Sequence, residues 1–90
     1  MIIETSKHKN KRFVAIFKNG KRVDFGQKGG KTYIDEGDDI KRQNYLKRHI
    51  VRENWNDPYS PGSLARYILW GESKSLDKNH QAFMKRFNIS

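Results

Sequence analysis

Apolar residues concentrate in two short runs near the start of the chain, within "RFVAIFKNGKRVDFG". Both runs are rich in β-branched and aromatic residues, and they flank the pair Asn19-Gly20. An Asn-Gly pair between two such runs is typical of a two-residue hairpin turn, because both central positions of that turn need positive φ. The pattern predicts strands over Lys11–Lys18 and Lys21–Gln27. The strands meet at the turn with Lys18 opposite Lys21.

This register gives the hairpin one apolar face. Four apolar residues pair across the strands there, Val14 with Phe25 and Ile16 with Val23. The other face mixes apolar and charged residues, namely Phe13, Ala15, Phe17, Arg22 and Asp24. One face is expected to pack on helices. Because an isolated hairpin is marginal in water, a third strand is expected from "MIIETS" or from "KTYI".

A helical pattern follows the acidic segment "DEGDD". A helix is predicted from Asp39 to Glu53, with Asp38 or Asp39 as its N-cap. Its apolar face is expected to meet the hairpin and holds Ile40, Leu46 and Ile50. A second face carries a basic stripe that includes one aromatic residue, formed by Lys41, Tyr45, Arg48 and Arg52.

Two further helices are predicted in the second half of the chain. "SPGSLARYILWG" begins at an N-cap serine, Ser60 or Ser63, and ends with Gly71 as its cap. "SLDKNHQAFMKRFNIS" places one face at helical spacing, formed by Leu76, His80, Phe83, Met84 and Phe87. The loop "NWNDPYSPG" precedes both helices, and its rings Trp55 and Tyr59 are expected to pin it to the core.

Together these elements predict a small single α+β domain over residues 1–90. A two- or three-stranded antiparallel sheet, built on the β-hairpin 11–27, packs against three helices in this prediction. Only 34% of the residues are hydrophobic, but 12% are aromatic, and large rings can fill a core where aliphatic residues are scarce. In an alternative prediction, residues 1–10 form a flexible basic arm outside the packed part of the domain.

Two absences narrow the classes of function. The chain has no cysteine, which excludes disulfides, thiolate metal sites and thiol nucleophiles and favours a reducing compartment or the interior of an assembly. The start "MIIETSKHKNKR" has only two consecutive large apolar residues, too few for a signal peptide or a membrane span. We therefore expect a protein that is not secreted and does not cross a membrane.

Positive charge is the strongest global signal. The 19 Lys and Arg residues against 10 Asp and Glu give a net charge of +9. Between Lys7 and Lys31 nine basic residues face one acid, Asp24, so nearly all of the excess lies in the first third of the chain. Such an excess favours polyanions, because each neutralised phosphate releases condensed counterions. Nucleic acid, DNA in the first place, is the leading partner, ahead of an anionic membrane surface or an acidic protein.

The candidate nucleic-acid-binding residues follow from this charge. Phosphate contacts are expected from the N-terminal run and the hairpin, through Lys9, Lys11, Arg12, Lys18, Lys21, Arg22, Lys28 and Lys31. The helical stripe extends that surface through Lys41, Tyr45, Arg48 and Arg52. Phe13 and Phe17 share a strand face with Arg22, a pattern that fits either base stacking or the core.

No catalytic residue, metal or cofactor is expected. The three histidines, His8, His49 and His80, lack the close spacing of a zinc site, and His80 reads as a core-edge residue. His49 and Glu53 are four apart, which suits an acid/base pair but equally an ordinary helical interaction. Gly29-Gly30 reads as a turn rather than a phosphate cradle, and "DEGDD" as helix capping. A nuclease-derived module on His49 and Glu53 stays as a less favoured alternative to a non-enzymatic protein.

The chain resembles a family of small uncharacterised proteins encoded by large nucleocytoplasmic DNA viruses. The resemblance runs from Val23 to Phe87, through Phe25-Gly26, Tyr33, Tyr45-Leu46, Arg48-His49, Glu53-Asn54-Trp55, Leu69-Trp70 and Arg86-Phe87. It implies a viral origin, and hence a location in the virion or in the cytoplasm or nucleus of the infected cell. A small basic protein in such a particle accompanies the genome or, alternatively, is a minor capsid or scaffold protein that binds viral structural proteins through exposed aromatic residues.

Overall fold

The computed structural model describes all 90 residues and begins with a three-stranded antiparallel sheet. Its strands are β1 (Ile2–Thr5), β2 (Lys11–Ile16) and β3 (Arg22–Gln27), with β2 in the centre. "MIIETS" supplies the third strand, one of the two segments expected to do so, so the first half of residues 1–10 is paired in the sheet. "KTYI" instead leads into a helix.

The hairpin between β2 and β3 turns through three residues, 18–20. The N–H of Phe17 donates to the carbonyl of Lys21 (2.9 Å), and the N–H of Gly20 donates to the carbonyl of Phe17 (3.0 Å). Gly20 has φ +89°, but Asn19 does not have a positive φ, which a two-residue turn requires at both of its central positions. The register with Lys18 opposite Lys21 is therefore wrong by one residue.

This one-residue shift exchanges the two faces of β2 relative to β3. Phe13 pairs with Phe25, and Ala15 pairs with Val23, on the face that meets the helices. The predicted pairs of Val14 with Phe25 and Ile16 with Val23 do not form, because Val14 lies opposite Asp24. The sheet's part of the core thus combines β2 and turn-flanking residues of the predicted mixed face, Phe13, Ala15 and Phe17, with β3 residues of the predicted apolar face, Val23 and Phe25.

The helices follow the sheet along the chain. They are α1 (Tyr33–Glu36), α2 (Asp39–His49), α3 (Pro61–Leu64), which runs directly into a π-helix (Ala65–Leu69), and α4 (Leu76–Arg86). The three longer helical segments match the three predicted ones, so the α+β prediction is confirmed. No helix has both the length and the apolar character needed to cross a bilayer.

Serine and aspartate side chains begin these helices as expected. Asp38 accepts from the N–H of Lys41 (3.1 Å), and Ser60 accepts from the N–H of Gly62 (3.2 Å). Gly71, however, is not a C-terminal cap, since the last turn closes when Trp70 donates to the carbonyl of Ala65 (3.0 Å). Gly71 is buried, and a Cβ at this position would run into Asn79.

The core lies between the sheet and the helices. Its buried members come from both the sheet and the helices: Ala15, Phe17, Phe25, Tyr45, Leu64, Ile68, Leu69, Trp70 and Phe83. The apolar face predicted for α2 is wrong in part, because Ile40 and Ile50 are 72% and 59% exposed while Leu46 packs at the core's edge. The helix ends four residues before Glu53, where the N–H groups of Arg52 and Glu53 both reach the carbonyl of His49.

Candidate nucleic-acid interface

Four lysines collect at one end of the sheet. Lys11 lies opposite Gln27, and the N–H of Lys28 donates to the carbonyl of Asn10 (3.2 Å), which joins the start of β2 to the end of β3. We call this group the basic end: Lys9, Lys11, Lys28 and Lys31. Its three outermost members, Lys9, Lys28 and Lys31, are exposed.

The basic end borders an open cleft of about 380 Å³. A turn at Gly29-Gly30 places Lys31 in its wall, because Gly30 donates to the carbonyl of Gln27 (3.0 Å) and Gly29 takes φ +82°. The sequence reading of this pair as a turn is confirmed. Arg48 and His49, from the last turn of α2, line the same cleft. Lys31, from the segment that follows β3, and Arg48, from α2, thus share one concave surface.

A second hollow, of about 400 Å³, lies on the last turn of α2. Lys47, Arg48 and Arg52 line it, and all three are exposed. Because Arg48 lines both hollows, the positive surface continues from the cleft along the end of the helix.

The remaining hairpin cations lie elsewhere. Lys18 lies in the hairpin turn and Lys21 directly follows it, a full strand length of roughly 20 Å from the basic end. The ammonium of Lys21 lies 4.6 Å from the ring centroid of Tyr59. Arg22 is exposed on the side of the sheet opposite to the helices. The structure therefore does not bring all the predicted phosphate-binding residues together.

Two of the predicted residues are already paired with acids. Arg12 donates through both terminal nitrogens to the two carboxylate oxygens of Asp35 (2.7 Å each), which fixes α1 on the sheet. These bonds, with two more from Thr32, hold the pKa of the Asp35 carboxyl well below its usual value. Lys41 pairs with Glu36 (2.7 Å) in the same acidic segment.

Tyr45 does not belong to an outward stripe, which corrects the prediction for this residue. It is 8% exposed and lies between two flat rings, those of Trp70 and His49, at centroid distances of 4.4 and 4.2 Å. Burial raises the pKa of its hydroxyl, and the carboxylate of Glu53 raises it further. With both ring faces covered, Tyr45 has no face left on which a base could stack.

The His49 and Glu53 side chains do meet in the cleft. His49 Nδ1 lies 2.9 Å from Glu53 Oε1, and the second carboxylate oxygen accepts from Trp55 Nε1 (2.9 Å). Gly62 permits this arrangement, because a Cβ there would lie 2.8 Å from the carboxylate. The pair thus contacts Tyr45, Trp55 and Gly62, and it lines the same cleft as Lys31 and Arg48.

The acidic segment "DEGDD" caps α2, as the sequence predicts, and its side chains also pair with neighbouring residues. Asp38 caps α2, and Asp39 accepts from the Tyr33 hydroxyl (2.7 Å), a bond that raises the pKa of that hydroxyl. No group of three metal-binding side chains forms anywhere in the chain. His80 lies half-buried at the core's edge, as expected, with Nε2 3.1 Å from the carbonyl of Met1.

None of the eleven aromatic side chains is fully exposed. Tyr59 is tied to the hairpin by the side chain of Asn19 (3.1 Å) and by an edge contact with Phe17, as the sequence suggests. Trp55 lies instead under the guanidinium of Arg66, 5.1 Å from its ring centroid. The rings that the scaffold alternative invokes are thus buried or half-buried, whereas the aliphatic side chains of Ile50 and Val51 are exposed.

The sequence did not predict a further set of basic residues that the structure brings together. Arg66 and Arg86 line a cavity between the π-helix and α4. The available signal was the position of Arg66 inside the otherwise apolar run "SLARYILW".

The comparisons with known proteins identify a family but no activity. Neither the curated proteins nor the solved structures include a significant match to this chain. Residues 1–49, which span the sheet, α1 and α2, match the model of a family of unknown function, DUF5754. That match covers more than half of the chain and includes the basic end and Arg48. The chain therefore belongs to the family of unknown function DUF5754.

Proposed function

We propose that this protein binds nucleic acid electrostatically, through the basic end and the last turn of α2. The observation that carries the proposal is the number of free cations. Only Arg12 and Lys41 of the 19 Lys and Arg residues form ion pairs, which leaves 17 with no carboxylate within 4.0 Å. Unpaired cations on a surface are the groups that phosphates neutralise with release of counterions.

The cleft places two of these cations on one concave surface. Lys31, between β3 and α1, and Arg48, in α2, both line it, and Arg52 continues the positive surface just beyond the end of α2. A phosphate backbone that follows this path would meet lysines first and arginines next. No base-reading group is needed for such binding, since phosphate contacts position a protein without reading sequence.

The biological setting of the proposal comes from the resemblance to small proteins of large DNA viruses. In that setting the protein is a non-enzymatic, virion- or genome-associated component, acting on DNA in the particle or in the infected cell. Its charge of +9 suits neutralisation of a packaged genome.

Duplex DNA titrations at two salt concentrations test this proposal. We expect affinity to fall with added salt, and a K28Q/K31Q/R48Q variant to lower the slope of log K against log salt by about 2 to 3. K18Q/K21Q/R22Q removes the same charge from the far end of the hairpin and is the matched control. Absent or salt-independent binding by the wild-type protein would overturn the proposal and favour the scaffold alternative. Equal losses in the two variants would overturn the assignment to the cleft.

The cleft also supports a second candidate, a nuclease-derived module. His49 and Glu53 lie 2.9 Å apart in a cleft that Lys31 and Arg48 also line, so an acid/base pair stands beside phosphate-binding cations. This candidate predicts DNA cleavage that H49A abolishes while the circular dichroism spectrum is unchanged. Cleavage that persists in H49A, or no cleavage by the wild-type protein, would exclude it.

A further inference from the structure

A cavity of about 420 Å³ lies between the π-helix and α4, apart from the cleft. Three of the residues that line it are cations, Arg66, Lys78 and Arg86, and one is an acid, Glu72. Glu72 forms no ion pair with any of them. The cavity is thus positively charged and within the range of volumes found for small-ligand sites.

Arg66 is the most confined of these cations. Its guanidinium carbon lies 4.8 Å from the ring centroid of Tyr67 and 5.1 Å from that of Trp55. One terminal nitrogen donates to the carbonyl of Trp70 (3.3 Å), whereas Nε is buried and has no partner. A half-buried guanidinium without a carboxylate is costly, because two ring contacts and one hydrogen bond offset only part of the desolvation of its charge.

Two other arginines surround this position. Arg42 Nε donates to the carbonyls of Trp70 (3.1 Å) and Gly71 (3.0 Å), so the Trp70 carbonyl accepts from two arginines. Arg86 lies 4.4 Å from the centroid of Tyr67, the same ring that Arg66 covers. Burial lowers the pKa of the Arg66 guanidinium, and the positive charges of Arg42 and Arg86 lower it further. Positive charges that contact the same ring or the same carbonyl, with no carboxylate paired to any of them, favour a bound anion.

We infer that this cavity binds a phosphate group, held by Arg66 and Arg86 with Lys78 at its edge. Guanidinium groups suit phosphate oxygens because their planar forks donate two parallel hydrogen bonds. The site is separate from the cleft, since Ala65 and Leu69 of the π-helix line the cleft whereas its Arg66 and Tyr67 line the cavity. A terminal phosphate of a nucleic acid and a free phosphate share this chemistry.

Titration with inorganic phosphate at constant ionic strength tests the site, with the amide signals of Ser73 and Asn79 followed by NMR. We expect saturable shifts in the wild-type protein and about tenfold weaker binding in R86Q, the loss expected for one charge-assisted hydrogen bond. K85Q is the matched control, since Lys85 is exposed in the same turn of α4 and does not line the cavity. R66K keeps the charge but loses the fork, and should also weaken binding.

The outcomes are distinct. The absence of shifts in the wild-type protein, or equal affinity in R86Q and K85Q, would overturn the site. Where inorganic phosphate binds, 5′-phosphorylated and unphosphorylated oligonucleotides identify the source. Tighter binding of the phosphorylated strand, lost in R86Q, assigns a nucleic-acid end, and equal binding of both strands assigns a free phosphate. The cleft variant K28Q/K31Q/R48Q should bind inorganic phosphate like the wild-type protein, so failure of the DNA proposal and failure of this site are told apart.

Discussion

The rings of Tyr45 and Trp70 stack with their centroids 4.4 Å apart and their planes within 8° of parallel. This stack joins α2 to the end of the π-helix, and both rings line the cleft that holds His49 and Glu53. The carbonyl of Trp70 meanwhile accepts from Arg42 and Arg66. Trp70 therefore links α2 to the second half of the chain through both its ring and its backbone carbonyl.

The stack predicts different effects for two substitutions of Tyr45. Y45A removes a buried ring and should lower the free energy of unfolding by about 3 to 5 kcal/mol. Y45F keeps the ring and loses only a hydroxyl, so it should change the stability by less than about 1 kcal/mol. Urea denaturation measures both, and DNA affinity should be the same in Y45F as in the wild-type protein. A marked loss of affinity in Y45F would return Tyr45 to the binding surface.

The Arg12–Asp35 pair predicts a pH-dependent contribution to stability. Because the folded-state pKa of Asp35 is lowered, its contribution is complete above the unfolded-state value of about 3.9 and is lost as the pH falls through the folded-state value. At pH 7, D35N should lower the free energy of unfolding by about 1 kcal/mol. Chemical denaturation of both proteins from neutral to acidic pH should show this difference shrinking below about pH 4. A difference that is constant with pH would contradict the assignment.

Local signals made most of the elements predictable, but not their packing. The hairpin, the cap at Asp38 and the last helix each depend on residues near in sequence. The hairpin register did not follow, because Asn19-Gly20 is compatible with both a two-residue and a three-residue turn. In the folded chain Asn19 also donates to the hydroxyl of Tyr59, a contact that no local pattern indicates. The one-residue shift then placed Phe13 and Ala15, in place of Val14 and Ile16, on the face of β2 that meets the helices.

The candidate site was predictable in composition and not in arrangement. Charge density indicated the N-terminal run and the hairpin as a whole, without separating the basic end from the cations near the hairpin turn. Arg48 shares a cleft with Lys31 only because the chain folds them together. Tyr45 was misplaced because its partner Trp70 is 25 residues away in sequence, beyond any helical periodicity. The pairing of Arg12 with Asp35 is likewise a long-range contact that no local pattern indicates.

The hairpin turn gives a prediction about backbone conformation alone. A Cβ at Gly20 would meet nothing within 4 Å, so G20A should cost only the strain of a left-handed residue at φ +89°, about 1 kcal/mol. G20N should cost less, because asparagine tolerates this region better than alanine. Thermal or urea denaturation should give the order wild type, G20N, G20A. Equal stabilities of the three proteins would mean that the turn is not held in this conformation.

Asn79 carries the last prediction, since it is 3% exposed and all of its hydrogen-bonding groups are used. Its amide donates to the carbonyls of Ile68 (2.9 Å) and Ser73 (2.7 Å), and its oxygen accepts from the N–H of Ser73 (3.1 Å). N79A would leave these backbone groups unpaired beside the π-helix, and should lower the free energy of unfolding by about 3 kcal/mol. N44A, at an exposed position in α2, should be neutral or slightly stabilising because alanine favours helix. Urea denaturation compares the two, and similar stabilities would show that Asn79 does not hold α4 against the π-helix.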